Sequence, residues 1–243
     1  MVQQSSPPTH KQGINRMHIV DLRDLIAEKD TLKSALAESQ NLWNSLYERM
    51  DSSETLWVIA PNTYRDGMMW PVAMFAADYI REEAGFALKN IITVHTVSDR
   101  SADMVSAYDE ILFLVKDKRE YQFYKDEIRV SHVYEGNEWG GERKKGNSAY
   151  HDTEVRRYNP DGKDPGNVWL EEDRSQTSNQ EVDATNPIPF EEAIRRCIRV
   201  GSQKNEAVHI VWGSEFEDIV SDENRKFSTL DADELRSEIE VDS

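Results

Sequence analysis

Short, unbroken apolar runs recur along this chain with helical patterns between them, and that alternation limits the folds open to it. Leu56-Trp57-Val58-Ile59-Ala60 has no polar interruption and stops at Pro61-Asn62. Met17-His18-Ile19-Val20 ends at Asp21, and residues 90–95, 110–115 and 207–212 repeat the type. Runs this short, bounded by turn residues and rich in Val and Ile, read as buried strands. A helical pattern follows the first run: Leu25, Ile26, Leu32, Leu36, Leu42, Trp43, Leu46 and Met50 recur at three- and four-residue steps and make one apolar face. Glu28, Lys29, Lys33 and Glu38 form its polar face. Residues 71–84 predict another helix, with Met74, Phe75, Ala77 and Ile80 inward. Residues 190–200 predict a third, entered through Pro187-Ile188-Pro189, and residues 218–235 a closing strand-and-helix unit. Strands alternating with helices argue an α/β sheet with crossover helices.

At 243 residues the chain suits one such domain, or one domain with an insertion. The insertion is expected at 116–185, which is polar, rich in Gly, Asn, Asp and Glu, and too long for a simple connection. The expected organisation is a disordered leader over 1–16, a domain over 17–235 and an acidic tail over 236–243. Acidic residues number 46 against 29 basic ones, a net charge of −17. Such a surface repels a duplex polyanion unless cations gather in one patch. It also suits a solvated halophilic surface, an acidic tail, or a docking face for a basic partner. The lone cysteine, Cys197, excludes an internal disulfide and a cysteine-based zinc site, and its helical setting predicts a small core residue. The six histidines show no ligand spacing, and neither a nucleophile elbow nor a phosphate-binding loop occurs. No run of about 18 apolar residues is present, and the polar start, with Ser5-Ser6-Pro7-Pro8, is no secretory signal. The expectation is a cytoplasmic protein without a membrane span.

Several stretches carry a more specific pattern. Asp109-Glu110-Ile111-Leu112-Phe113-Leu114-Val115-Lys116 is followed by Tyr121-Gln122-Phe123. Tyr158-Asn159-Pro160-Asp161-Gly162-Lys163-Asp164-Pro165-Gly166-Asn167-Val168-Trp169 is sharply shaped by its Pro and Gly residues. Ala207-Val208-His209-Ile210-Val211-Trp212-Gly213-Ser214-Glu215-Phe216 runs a strand into a turn, and residues 225–231 end a further strand at Asp231. In this order they resemble the exocyclic-amino (adenine or cytosine) DNA methyltransferases in their β arrangement, with the acceptor motif first and the cofactor motif last. The resemblance implies a Rossmann-like S-adenosylmethionine-dependent methyltransferase fold, with 116–185 as the target-recognition insertion.

Both chemical motifs depart from the family's pattern. Where the family keeps Asp-Pro-Pro-Tyr, whose acid and following carbonyl hold the target amino group while the ring stacks on the flipped base, this chain has Asp21-Leu22-Arg23-Asp24. Asp21 alone matches, and it also suits a helix N-cap. Pro61-Asn62-Thr63-Tyr64 offers proline, acceptor and aromatic in the right order, on what reads as the next strand. At the cofactor turn Gly213 and Ser214 remain, His209 stands where an acid is expected, Glu215 replaces the second glycine, and Phe216 adds bulk. Glu215 would bring a Cβ and a negative charge to a place that must receive the cofactor's own carboxylate. Asp231 matches the acid that holds the cofactor ribose. In the recognition region, Arg143, Lys144, Lys145, Arg156 and Arg157 would contact phosphates, beside Lys116, Lys118 and Arg119; interleaved acids leave a solvated mixed-charge loop equally open. Trp169 reads as an anchor for its loop.

The expected function is that of a degenerate, non-catalytic DNA methyltransferase-like protein. It would bind nucleic acid or act as a regulatory partner of an active methyltransferase subunit or of itself, and would hold no cofactor. Two alternatives stand beside it. One is an active enzyme that uses S-adenosylmethionine, with Asp21 or Asn62 on the amino group and Asp231 on the ribose. The other is a scaffold in a DNA modification or defence system that touches only protein.

Overall fold

A computed structural model describes residues 16–95, 108–130, 161–169 and 188–237. The predicted alternation is present. Strand β1 (Arg16–Asp21) leads into helices α1 (Arg23–Glu28), α2 (Leu32–Glu38) and α3 (Gln40–Arg49), then strand β2 (Thr55–Ala60). A hairpin of β3 (Thr63–Arg65) and β4 (Met68–Trp70) precedes helix α4 (Val72–Ala84). Strands β5 (Ala87–His95), β6 (Tyr108–Val115) and β7 (Val168–Trp169) follow, then helix α5 (Phe190–Gly201), strand β8 (Ala207–Val211), helix α6 (Glu217–Asp222), strand β9 (Lys226–Thr229) and helix α7 (Ala232–Ser237).

Seven strands form one sheet in the order β7-β5-β6-β2-β1-β8-β9. Only β6 runs against its neighbours; the β1–β2, β1–β8, β5–β7 and β8–β9 pairs are parallel. The central strands carry continuous apolar runs, Leu56 to Ala60 in β2 and Ile111 to Val115 in β6, because helices cover both faces. Val20, Leu56, Val58, Ala60, Leu112 and Leu114 point into one core, with α2, α3, α4 and α7. Ile19, Trp57, Ile59, Ile111, Phe113 and Val115 point into the other, with α5 and α6. Cys197 and Trp169 are buried in that second core, as their settings predicted, and the Trp169 indole N–H donates to the Gly166 carbonyl at 3.1 Å.

Two expectations are corrected. The long pattern over 25–50 is broken into three helices. Thr31 leaves helical geometry and its hydroxyl caps α2 by accepting from the Ser34 amide at 3.1 Å. Ser39 then turns the chain into α3, its hydroxyl donating to the Leu36 carbonyl while accepting from the Trp43 indole. Periodicity alone does not register such polar joints. On α4 the buried face is Val72, Ala73, Ala76, Ala77 and Ile80, and Met74 and Phe75 are exposed. Small residues at this spacing let the helix lie close to the sheet, and the larger apolar side chains turn outward. The β3–β4 hairpin was not anticipated; Asp66-Gly67, both at positive φ, form its two-residue turn.

Candidate functional site

The parallel neighbours β1 and β8 send the chain in opposite directions, β1 towards β2 and β8 towards β9. Their carboxyl ends therefore form the switch point at which open α/β sheets place their ligands. Asp21 is the last residue of β1, and Gly213 stands just beyond β8. The sequence-derived acceptor and cofactor motifs thus meet in space, although Arg23 and Glu215, one from each, are 192 residues apart along the chain.

At the acceptor end, Asp21 is only 3% exposed. Its carboxylate accepts from the Arg23 amide at 2.9 Å, from Arg23 Nε at 2.8 and 3.0 Å, and from Arg23 Nη2 at 2.5 Å. The amide contact makes Asp21 a cap on the first turn of α1, one residue ahead of the formal N-cap Leu22. Burial raises the Asp21 carboxyl above the usual carboxylate range, and its bonds to Arg23 oppose that rise without cancelling it. Arg23 occupies the place of the family's second proline. Its Nη2 also reaches Glu215 Oε1 at 2.8 Å, and its guanidinium lies 4.5 Å over the Phe190 ring and 5.6 Å from that of Phe216. One cation therefore ties both overwritten motifs together between two aromatic rings. The sequence reading passed over Arg23 and Phe190. The available signal was a cation two residues after Asp21, with a matching carboxylate at Glu215.

At the cofactor end, the backbone turns through Trp212 at φ 54, a left-handed conformation that bulky residues rarely adopt. Gly213 follows, and a Cβ placed on it would stand 2.9 Å from Ile210 Cγ2 and 2.9 Å from the Phe216 ring. The glycine permits a close approach, and the group that approaches is the chain's own phenyl, buried beside Ile210. Ser214 and Glu215 are exposed in the 3₁₀ turn that follows. A ring thus covers the glycine face of the turn, beside a carboxylate paired to Arg23. Asp231 uses its Oδ1 to accept from the Asp233 amide at 2.8 Å and the Glu234 amide at 3.4 Å, capping α7.

His209 lies mid-strand, away from the mouth, opposite His18 in register and stacked on it with centroids 5.3 Å apart. His18 Nε2 in turn contacts Glu54 Oε2 at 3.0 Å, and both residues are buried. On the next strand end, Asn62 donates through its amide group to the Tyr108 carbonyl at 3.2 Å, and its Oδ1 has no partner among the described residues. Of the expected phosphate contacts, Arg143, Lys144, Lys145, Arg156 and Arg157 lie outside the described residues. Lys116 is turned inward, with Nζ donating to the Tyr47 and Met50 carbonyls at 2.7 and 3.0 Å. It closes the end of α3.

This sheet order, with its single reversed strand, its crossover helices on both faces and its glycine turn at the switch point, defines a Rossmann-like methyltransferase fold. It is shared with the PvuII DNA methyltransferase (cytosine-N4-specific), at TM-score 0.58 and 11% identity over 93% of this chain and 79% of that one. A protein of Thermus thermophilus assigned as a DNA modification methylase superposes at TM-score 0.55 and 11% identity, over 95% of this chain and 88% of that one. Its complex with S-adenosyl-L-methionine gives TM-score 0.50 and 13% identity, over 93% of each chain. A comparison with curated proteins finds no match. The chain belongs to the N6/N4 DNA methylase family, which it matches over residues 5–222. No helix among the described residues is long and apolar enough to cross a membrane.

Proposed function

We propose that this protein is a degenerate member of its family that has kept the methyltransferase framework and lost methyl transfer. It would serve as a nucleic-acid-binding or regulatory partner of an active methyltransferase. The observation that carries this reading is the packing of the Phe216 ring onto Gly213. The glycine that would admit a methyl donor instead admits a side chain, and the adjacent Glu215–Arg23–Asp21 bridge consumes the acceptor acid. This packing supports the reading that the turn does not receive S-adenosylmethionine. A working acceptor site leaves its carboxylate available to the target amino group, whereas Asp21 here is buried and saturated by one guanidinium. The net charge of −17 favours a protein partner over a broad phosphate-binding face.

Calorimetric titration of the purified chain with S-adenosylmethionine tests the reading. No saturable heat is expected, and tight binding would overturn it. Incubation with DNA and labelled cofactor is the companion measurement. Methyl incorporation that disappears with Asp21→Ala would establish the active-enzyme alternative. Retention on a DNA column at low salt separates a nucleic-acid-binding role from a protein-only scaffold in a modification or defence system.

A further inference from the structure

Away from the switch point, α2, β4 and α4 line a groove of about 820 Å³. Its apolar lining includes Leu32, Leu36, Trp70, Phe75 and Tyr79. The apolar surface extends beyond it. Met68 is 65% exposed, Met74 59%, Phe75 49% and Met69 40%, all within one hairpin and the first turn of α4. Large apolar side chains clustered on a surface mark a binding site more often than chance exposure, and methionines suit a surface that adapts to a partner. The α4 wall turns acidic one turn further along, at Asp78, Glu82 and Glu83, against a single cation in the lining, Lys33 on α2. Arg81 offsets Asp78 at 3.6 Å and Gln40 donates to Glu83 at 2.7 Å. Glu82 has no ion pair among the described residues.

We propose that this groove is a docking site for an amphipathic helix of another protein, with an apolar stripe and Lys or Arg along its flank. The geometry argues for a helix because the groove lies between two helices and offers an apolar side from each, Leu32 and Leu36 of α2 and Phe75 and Tyr79 of α4, to the apolar stripe of a third. The charge argues for a basic partner. A second copy of this chain, at −17, would bring acid against acid, and a nucleic acid would do the same. The site does not depend on whether the cofactor turn is closed, since none of its residues contributes to that turn.

The test uses the full chain and a set of synthetic helix-forming peptides that share a Leu/Phe stripe, their flanking positions varied between Lys and Glu. Trp70 emission and peptide anisotropy report binding. Lys-flanked peptides should bind and Glu-flanked ones should not. Phe75→Ser should weaken binding at least about tenfold, and Glu82→Lys should weaken it while reducing its salt dependence. Phe75 and Glu82 are exposed, so both variants should keep the wild-type circular dichroism; Met69→Ser serves if one does not. Absence of binding across the set overturns the proposal, as does equal binding of both peptide classes or indifference to Phe75→Ser. Self-association of the chain that Phe75→Ser abolishes would give the groove to a second copy and likewise overturn it.

Discussion

Glu215 Oε1 stands 2.8 Å from Arg23 Nη2, so the turn after β8 is tied to the first residue of α1. The same guanidinium satisfies the buried Asp21, and the two pairs differ in worth. Glu215 is mostly exposed, and Glu215→Ala should reduce stability by only about 0.2–1 kcal/mol. Arg23→Ala strands the Asp21 carboxylate in the core and should cost about 2–4 kcal/mol at neutral pH. Burial already raises Asp21, and loss of Arg23 raises it further. The folded state then holds its proton more tightly than the unfolded chain, so stability increases as pH falls through the raised pKa. Urea denaturation of Arg23→Ala should therefore show its largest deficit at neutral pH and a smaller one in mild acid. A deficit independent of pH would show that Arg23 acts through its stacking on Phe190.

The Gly213–Phe216 packing predicts strong coupling. A methyl group on Gly213 would meet Ile210 and the Phe216 ring at 2.9 Å, so Gly213→Ala should cost about 1–3 kcal/mol through overpacking. In a Phe216→Ala background the ring contact is absent and only the Ile210 contact at 2.9 Å remains, so the cost should fall. A double-mutant cycle measured by denaturant titration reads the coupling, and additive costs would place the strain elsewhere.

Restoring small residues to the turn tests what the ring excludes. Glu215→Gly with Phe216→Thr returns the second glycine and replaces the ring with a small hydroxyl. Loss of a buried phenyl should lower stability by about 3–5 kcal/mol. If the ring occupies the methyl donor's place, S-adenosylmethionine should raise the Tm of this variant and leave wild type unmoved. Equal Tm in the presence and absence of the compound would mean that the pocket was lost by more than these two substitutions.

Much of the fold was legible because strands covered on both faces are apolar at every position, as in Leu56-Trp57-Val58-Ile59-Ala60, and stop at turn residues. Asp21 and the turn at Gly213 were legible as strand ends, and the sheet brings them to one switch point. What escaped was polar and non-local. Ser39 breaks a helix through two side-chain bonds that no periodicity registers. Met74 and Phe75 were placed inward by their hydrophobicity, yet Ala73, Ala76 and Ala77 face the sheet because the contact is close. Arg23 carried no signal by itself; its role exists only once Glu215 and Phe190 arrive from the far end of the chain. The β3–β4 hairpin left only its Asp66-Gly67 turn as a local cue, because its paired residues, Thr63 with Trp70, Tyr64 with Met69 and Arg65 with Met68, show no apolar alternation.

The His18–His209 stack predicts an acid-sensitive core. Burial pushes the His209 imidazole down to about 4, and His18 and Arg16 press the same way. Across the strands His18 contacts Glu54, and Arg16 Nε lies 3.9 Å from the other oxygen of that carboxylate, so that charge already has a cationic neighbour in Arg16. An unfolded histidine takes up its proton near pH 6.5, before the folded one does. The stability that neutral His209 retains is therefore complete above about pH 6.5 and is lost as pH falls from there towards 4, below which this group adds no further slope. A shift of this size corresponds to about 3 kcal/mol if fully desolvated, and solvent access to His209 reduces the expectation to about 1–2 kcal/mol. His209→Phe keeps a ring against His18 and removes the titration. Unfolding free energies measured by urea at several pH values between about 7 and 4.5 should fall less steeply for the variant than for wild type. Parallel slopes would assign the acid sensitivity to the carboxylates, with the histidine pair acting only as packing.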